Sequence, residues 1–234
     1  MAPVTDIAII AHGQPGDPAP LQQAVAALAA RVDALLPDLR VSGATLACTD
    51  SLSRITDARL IYPLFMADGW FTRVEMPRRL RAAGVHLAEV TDPLGLDPDL
   101  PEIGLDLALA GAAGAGLDPA QTALIVAGHG SGRGEAAANA CRGFADAIAA
   151  TGRFAQVVTG FIEQPPWLAD AARLPGPALC LPFFATAAGH VMQDIPDALA
   201  RAGMTGPVTP PVGLAPAVPA LVARRLSAAW KDMT

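Results

Sequence analysis

The sequence predicts an α/β fold: two similar, flavodoxin-like domains with parallel sheets, made by an internal duplication and separated by a cleft. Two observations predict it. Apolar, β-type runs alternate with alanine-rich helical runs, an order that implies a mainly parallel sheet covered on both faces. The same landmarks also recur at nearly one offset. His12 in "AHG" and His129 in "GHG" lie 117 residues apart, and Pro63 and Pro182 open "PLFMADGWFTRVEMP" and "PFFATAAGHVMQDIP" at an offset of 119. "VTDPLGLDPDLPEI" from Val90 and "VTPPVGLAPAVPAL" from Val208 agree at seven of fourteen positions, at an offset of 118. A period this long is a duplicated domain, not a solenoid unit. The Gly/Ala-rich segment Gly114–Gln121 marks the join, giving copies over 1–116 and 117–234.

In order, the first copy has strands at Ile7–Ala11, which runs into His12, then Arg40–Leu46, Arg59–Leu64 and Leu87–Thr91, with a helix at Leu21–Leu36 after the first strand. The second copy has Ala123–Gly128 ending at His129, a helix at Glu135–Ala150, and Gln156–Ile162, which ends at Glu163 where Pro165–Pro166 stop it. Strands at Ala178–Pro182 and Pro207–Pro210 complete the set, and His190 stands where the first of these two turns into a helix.

Composition narrows the function. The 234 residues are 52% hydrophobic, ample for a large core, and carry a net charge of −6 with a pI near 5.1. No basic stripe suits nucleic acid. The longest uncharged apolar stretch, Leu107–Leu117, is too short and glycine-rich to cross a bilayer, and the first residues lack a basic region and a signal-peptide core. A cytoplasmic protein with no membrane partner is expected. Cys48, Cys141 and Cys180 are scattered without a C-x-x-C motif and read as reduced, packing cysteines.

The candidate chemistry lies at strand ends, where open α/β sheets bind ligands. "LIVAGHGSGRGE" places His129 at the end of a strand, with glycines that let a ligand approach and a helix start that favours anions. Glu163 and His190 follow two other strands of the same copy. Two imidazoles and a carboxylate suit a first-row divalent metal with open positions. Each histidine alone has a plainer reading: His129 as a structural histidine at a strand end, His190 as a helix N-terminal residue facing solvent. His86 reads as a surface histidine, and Trp167, Phe183 and Phe184 as core or cleft lining. Asp194 reads as capping or orienting the helix after His190 rather than touching the metal.

This constellation resembles the class II chelatases of tetrapyrrole synthesis, the sirohydrochlorin cobaltochelatases and ferrochelatases of the CbiX/SirB type in their long, two-copy form. The resemblance rests on H-G-S at His129–Ser131, F-x-E at Phe161–Glu163 and the P-x-F…G-H-x-x-x-D-I-P run at Pro182–Pro196. It implies insertion of a divalent metal, Co²⁺ placed ahead of Fe²⁺, into sirohydrochlorin or a related tetrapyrrole, in cobalamin or siroheme synthesis. It makes His129, Glu163 and His190 both the metal donors and the catalytic groups. The metal is a substrate, and no nucleotide or organic cofactor is implied, there being neither a P-loop nor a G-x-G-x-x-G after a strand. The first copy keeps His12 but has Phe71 opposite His190 and only Leu46–Ala47 near the place of Glu163. It is therefore expected to be a degenerate wall for substrate, with His12 and Phe71 facing the macrocycle beside Ser131 and Arg133. Arg133 and Arg142 follow the H-G-S loop and suit the carboxylates of the macrocycle.

Two other classes compete. A histidine phosphotransferase would carry arginine before its histidine, where this chain has Ala11 and Gly128. A non-catalytic metal- or tetrapyrrole-binding protein would share every donor and differ only in turnover.

Overall fold

A computed structural model describes residues 5–86, 88–132, 134–187 and 193–233. The chain forms two compact units, 1–94 with 216–234, and 95–215. Both are built on parallel strands.

In the first unit the strands are β1 (Ile7–Ala11), β2 (Val41–Thr45), β3 (Leu60–Pro63) and β4 (Glu89–Val90), in the order β2-β1-β3-β4. Every side chain of β1 is buried, as an uninterrupted apolar run requires of a central strand covered on both faces. One face packs on α1 (Ala19–Asp33), whose buried Leu21, Val25, Ala29 and Val32 recur at helical spacing. Gly43 in β2 permits the approach: a Cβ there would lie 2.6 Å from the Val25 carbonyl oxygen. The helix stops before the expected Leu36, because the Asp33 carboxylate accepts the Val41 N–H at 2.8 Å. The opposite face holds Ala8, Ile10, Ala44 and Ile61 against Leu52 of the short helix α2 (Thr49–Leu52) and Met76 and Leu80 of α3 (Met76–Ala82). A π-helical turn over Phe71–Glu75 leads into α3.

The chain then enters the second unit with α4 (Leu100–Gly114), followed by β5 (Ala123–Gly128), α5 (Ala136–Ala149), β6 (Gln156–Phe161), α6 (Leu168–Ala171), β7 (Ala178–Pro182) and α7 (Asp194–Ala202). The sheet order is β6-β5-β7, the same arrangement about a buried central strand as in the first unit. Gly104 of α4 sits on the Phe144 ring of α5, where a Cβ would clash. Cys141 and Cys180 are buried and unbridged, and burial pushes both thiols up to about 12, which keeps them protonated.

The last helix, α8 (Val218–Met233), packs back in the first unit against α1 and β3. The partition by packing therefore differs in kind from the sequence repeat at 116/117. The closing helix of each repeat is built into the other repeat's unit.

Two expected strands are shorter than the sequence suggested. Pro207–Pro210 makes only a bridge at Val208, through Cys180 N–H to the Pro207 carbonyl and Thr209 N–H to the Cys180 carbonyl, both at 2.9 Å. The flanking prolines have no N–H to extend it. The strand expected over Leu87–Thr91 is ordered as strand only at Glu89–Val90, and Leu87 lies outside the described residues.

Candidate active site at the strand ends

His129 is the first residue after β5, and Glu163 follows β6 by one residue. Backbone register puts them on adjacent loops. Ile162 N–H donates to the Gly128 carbonyl at 3.1 Å, and Glu163 N–H donates to the His129 carbonyl at 2.9 Å. Gly130, at φ 73°, turns the chain under the histidine; a Cβ there would lie 2.7 Å from Gln164 Cγ. Gln164, only 9% exposed, accepts the Ser131 N–H on Oε1 at 2.8 Å. Phe161 N–H donates to the Pro166 carbonyl at 2.9 Å, turning the chain back after the carboxylate. Gln164 had no signature in the sequence beyond its place next to Glu163.

The side chains meet as the loops do. His129 Nδ1 stands 3.6 Å from Glu163 Oε2, with the side chains 39% and 51% exposed. Nδ1–H donates to the Gly130 carbonyl at 3.1 Å, so the lone pair of this tautomer is on Nε2, the nitrogen with the chemistry to ligate a metal ion. The Phe184 ring lies 6.3 Å from the imidazole. Two of the three expected donors are therefore together; His190 lies outside the described residues, as does Arg133. Among the described residues no three His, Cys, Asp or Glu side chains form a metal cluster.

Of the remaining expected residues, Ser131 contributes its backbone N–H to the loop clamp. Arg142 is engaged locally, with Glu135 at 3.2 Å and Asn139 at 3.1 Å, and lies 5.3 Å over the Phe161 ring. His86 is exposed, Phe183 is buried and Trp167 is exposed, while Asp194 opens α7.

The first unit repeats the loop geometry with different side chains. His12 follows β1 and its Nδ1–H donates to the Gly13 carbonyl. Leu46 N–H donates to the Ala11 carbonyl at 2.9 Å, the counterpart of the Ile162 bond, so Ala47 occupies the place of Glu163. Phe71 meets His12 edge-on at 4.1 Å and Trp70 at 5.0 Å. A hollow of about 20 Å³ there is lined by His12, Leu46, Ala47, Phe71, Glu75 and Arg79 among others. Sequence reading missed its polar floor. Arg79 donates to the Leu46 carbonyl and to Glu75, both at 2.7 Å, and Arg78 grips Glu75 with two bonds of 2.9 Å. The Arg78 and Arg79 guanidiniums hold the Glu75 carboxyl down at about 2. The signal was in the repeat: Glu75-Met-Pro aligns with Asp194-Ile-Pro. A larger cavity of about 370 Å³ runs along α1 and β2, but no histidine lines it.

No helix among the described residues is long and apolar enough to cross a membrane. The CbiX family profile matches residues 123–229. No curated protein matches the chain. A solved structure described as CbiX, the terminal enzyme for biosynthesis of siroheme in denitrifying bacteria, is 53% identical. It covers 96% of this chain and 99% of its own, with a TM-score of 0.89. SirB from Bacillus subtilis with Fe³⁺ shares the fold at 14% identity and a TM-score of 0.75, covering 96% of this chain and 94% of its own. So does DR2241 from Deinococcus radiodurans, a multi-domain protein with structural similarity to chelatases. It is 24% identical with a TM-score of 0.73, and the match covers 94% of this chain but 54% of that protein. With the strand-end histidine and glutamate in the same fold, and more than half of the residues shared with one relative along its full length, the chain belongs to the CbiX family.

Proposed function

We propose that this chain is a sirohydrochlorin chelatase that inserts a divalent metal ion as the last step towards siroheme. The observation that carries the reading is the His129–Glu163 pair, two groups of metal-donor type 3.6 Å apart on the adjacent loops after β5 and β6. The siroheme role of the 53% identical relative supports it, and supports Fe²⁺ over the Co²⁺ preferred from sequence. A His/Glu donor set accepts either ion.

In this reading the copy over 117–234 is the reactive one and the copy over 1–116 is degenerate. His129, Glu163 and His190 present the ion to the macrocycle. As the ion passes to the ring nitrogens, two pyrrole N–H bonds break and their electron pairs become donors to the metal. The groups that release the ion are then free to take the two protons: one goes to the Glu163 carboxylate and one to a histidine nitrogen. Ligation and proton acceptance thus follow one another at the same atoms without conflict. His12, Phe71, Ser131 and Arg133 contact the substrate.

The test is to mix the purified protein with sirohydrochlorin and Fe²⁺ without oxygen, or with Co²⁺, and follow the visible spectrum. Insertion faster than the protein-free control is expected with at least one ion. Binding of the macrocycle without faster insertion would make the protein a carrier and overturn the reading.

A further inference from the structure

Trp70, Phe71 and Val74 form an exposed apolar ledge on the π-helical turn of the first unit, with exposures of 55%, 39% and 48%. Three neighbouring apolar side chains left in water on one turn mark a surface made to be covered. Phe71 lies between the His12 ring at 4.1 Å and the Trp70 ring at 5.0 Å, each edge-on. Single π-helical turns recur at functional sites.

Its surroundings specify a chemistry. Residues 68–82 carry Arg73, Arg78, Arg79 and Arg81 against Asp68 and Glu75, whereas the aligned 187–201 carry Asp194 and Asp197 against Arg201. Arg73 is spent on Asp68 at 2.8 Å, and Arg79 on Glu75 and the Leu46 carbonyl. Arg78, although paired with Glu75, keeps a side chain 60% exposed, and Arg81 is exposed one turn on. In the repeat alignment Trp70-Phe71 replaces Gly189-His190, so a flat aromatic pair stands where the other copy has a donor.

Resting on the chelatase reading, we infer that Trp70 and Phe71 form the platform on which the planar polycarboxylate macrocycle lies, with Arg81 and Arg78 binding its carboxylates. A flat apolar ring with an anionic rim matches an aromatic ledge with a cationic rim, and arginine suits carboxylates better than lysine does. Phe71 was expected to face substrate from the sequence; the exposure of Trp70 and of Arg81 is visible only in the structure.

The experiment titrates metal-free sirohydrochlorin into the full chain, following tryptophan fluorescence and macrocycle absorbance, for wild type, W70F, W70A and R81E, each checked by circular dichroism. Wild type and W70F should bind alike. W70A should bind at least about fivefold more weakly, as loss of a stacking face does elsewhere. R81E should bind about as poorly at low salt and recover towards wild type as salt screens the charge. If folded W70A or folded R81E binds within about twofold of wild type, the platform is overturned. A wild type that does not bind the macrocycle overturns the chelatase reading and the platform with it, so the two failures are distinct.

Discussion

Gln164 is the residue whose loss should separate loop geometry from the donors themselves. Its Oε1 is the acceptor for Ser131 N–H at 2.8 Å, and its Cγ braces Gly130, the turn immediately after His129. Replacement by methionine keeps most of the volume and removes the acceptor. A net hydrogen bond contributes about 1 kcal/mol, rising towards about 3 kcal/mol if the stranded N–H stays buried. Ser131 is only partly buried, so the lower figure applies. For a unit of this size that lowers the melting temperature by about 4 °C. Alanine also removes two methylene-sized contacts at about 0.8 kcal/mol each, so Q164A should lose about two to three times as much.

The effect on turnover should exceed the effect on stability. The 3.6 Å spacing of His129 and Glu163 depends on two loops stitched by Glu163 N–H to the His129 carbonyl and by Ser131 N–H to Gln164. Displacing a reacting group by about 1 Å can cost about 100-fold. Q164M should therefore insert metal at least about tenfold more slowly, bind sirohydrochlorin as wild type does, and exchange the Ser131 amide hydrogen faster. A Q164M protein with wild-type melting and insertion within about twofold of wild type would refute the clamp.

Two further perturbations test the asymmetry and the buried carboxylate. H129A and H190A should each lose about 10²–10⁴ of the insertion rate, the scale of a directly acting acid–base group, while H12A should lose less than about tenfold; folded H12A as slow as H129A would put the chemistry in both copies. Glu75 is held at about 2, first by hydrogen bonds from Arg78 and then from Arg79, below its ordinary 4.5, so folding favours its ionised form. Its stabilisation is therefore complete above about pH 5 and is lost as pH falls through 4.5 towards 2. The melting-temperature gap between wild type and E75Q should be constant above about pH 5 and close below it; a gap indifferent to pH would show that the ion pair contributes nothing.

The parts of this molecule legible in the sequence are those where one residue's environment is settled by its neighbours in the chain. β1 and β5 announce themselves because a central parallel strand must be apolar throughout. His129 and Glu163 were legible because each follows the end of a strand, β5 apolar throughout and β6 buried at its end, and the fold brings the ends of adjacent parallel strands together. The register was less so. The sequence places the counterpart of Glu163 only near Leu46–Ala47, and the Leu46–Ala11 hydrogen bond fixes it as Ala47. The helix exchange was not legible at all: the apolar stripe of α4 or α8 specifies a buried face but carries no statement of which sheet will bury it. Gln164 and the Glu75–Arg79 floor belong to the same class, because their meaning lies in partners 33 residues away at Ser131 and Leu46.

If the second copy is the reactive one, as proposed, the first copy differs from it in its floor as well as in its donors, so restoring donors alone would not make a site there. Both copies keep a carboxylate at the same repeat position, Glu75 and Asp194, just ahead of an apolar residue and proline. In the first copy Arg78 and Arg79 follow, where the second has Asp197 and Ala198. Arg79 binds Glu75 and, through the Leu46 carbonyl, the very loop on which a glutamate at 47 would stand. A carboxylate returned to that loop would sit beside a guanidinium, and its charge would be spent on the arginine before it met an ion. Facing it would still be Phe71, with no donor atom, edge-on to His12. The arginine that fixes the loop and the aromatic aligned with His190 thus both work against a metal site in this copy. On the proposed assignment, the same backbone hydrogen bonds thus carry metal donors in one copy and an aromatic surface above an arginine-bound carboxylate in the other.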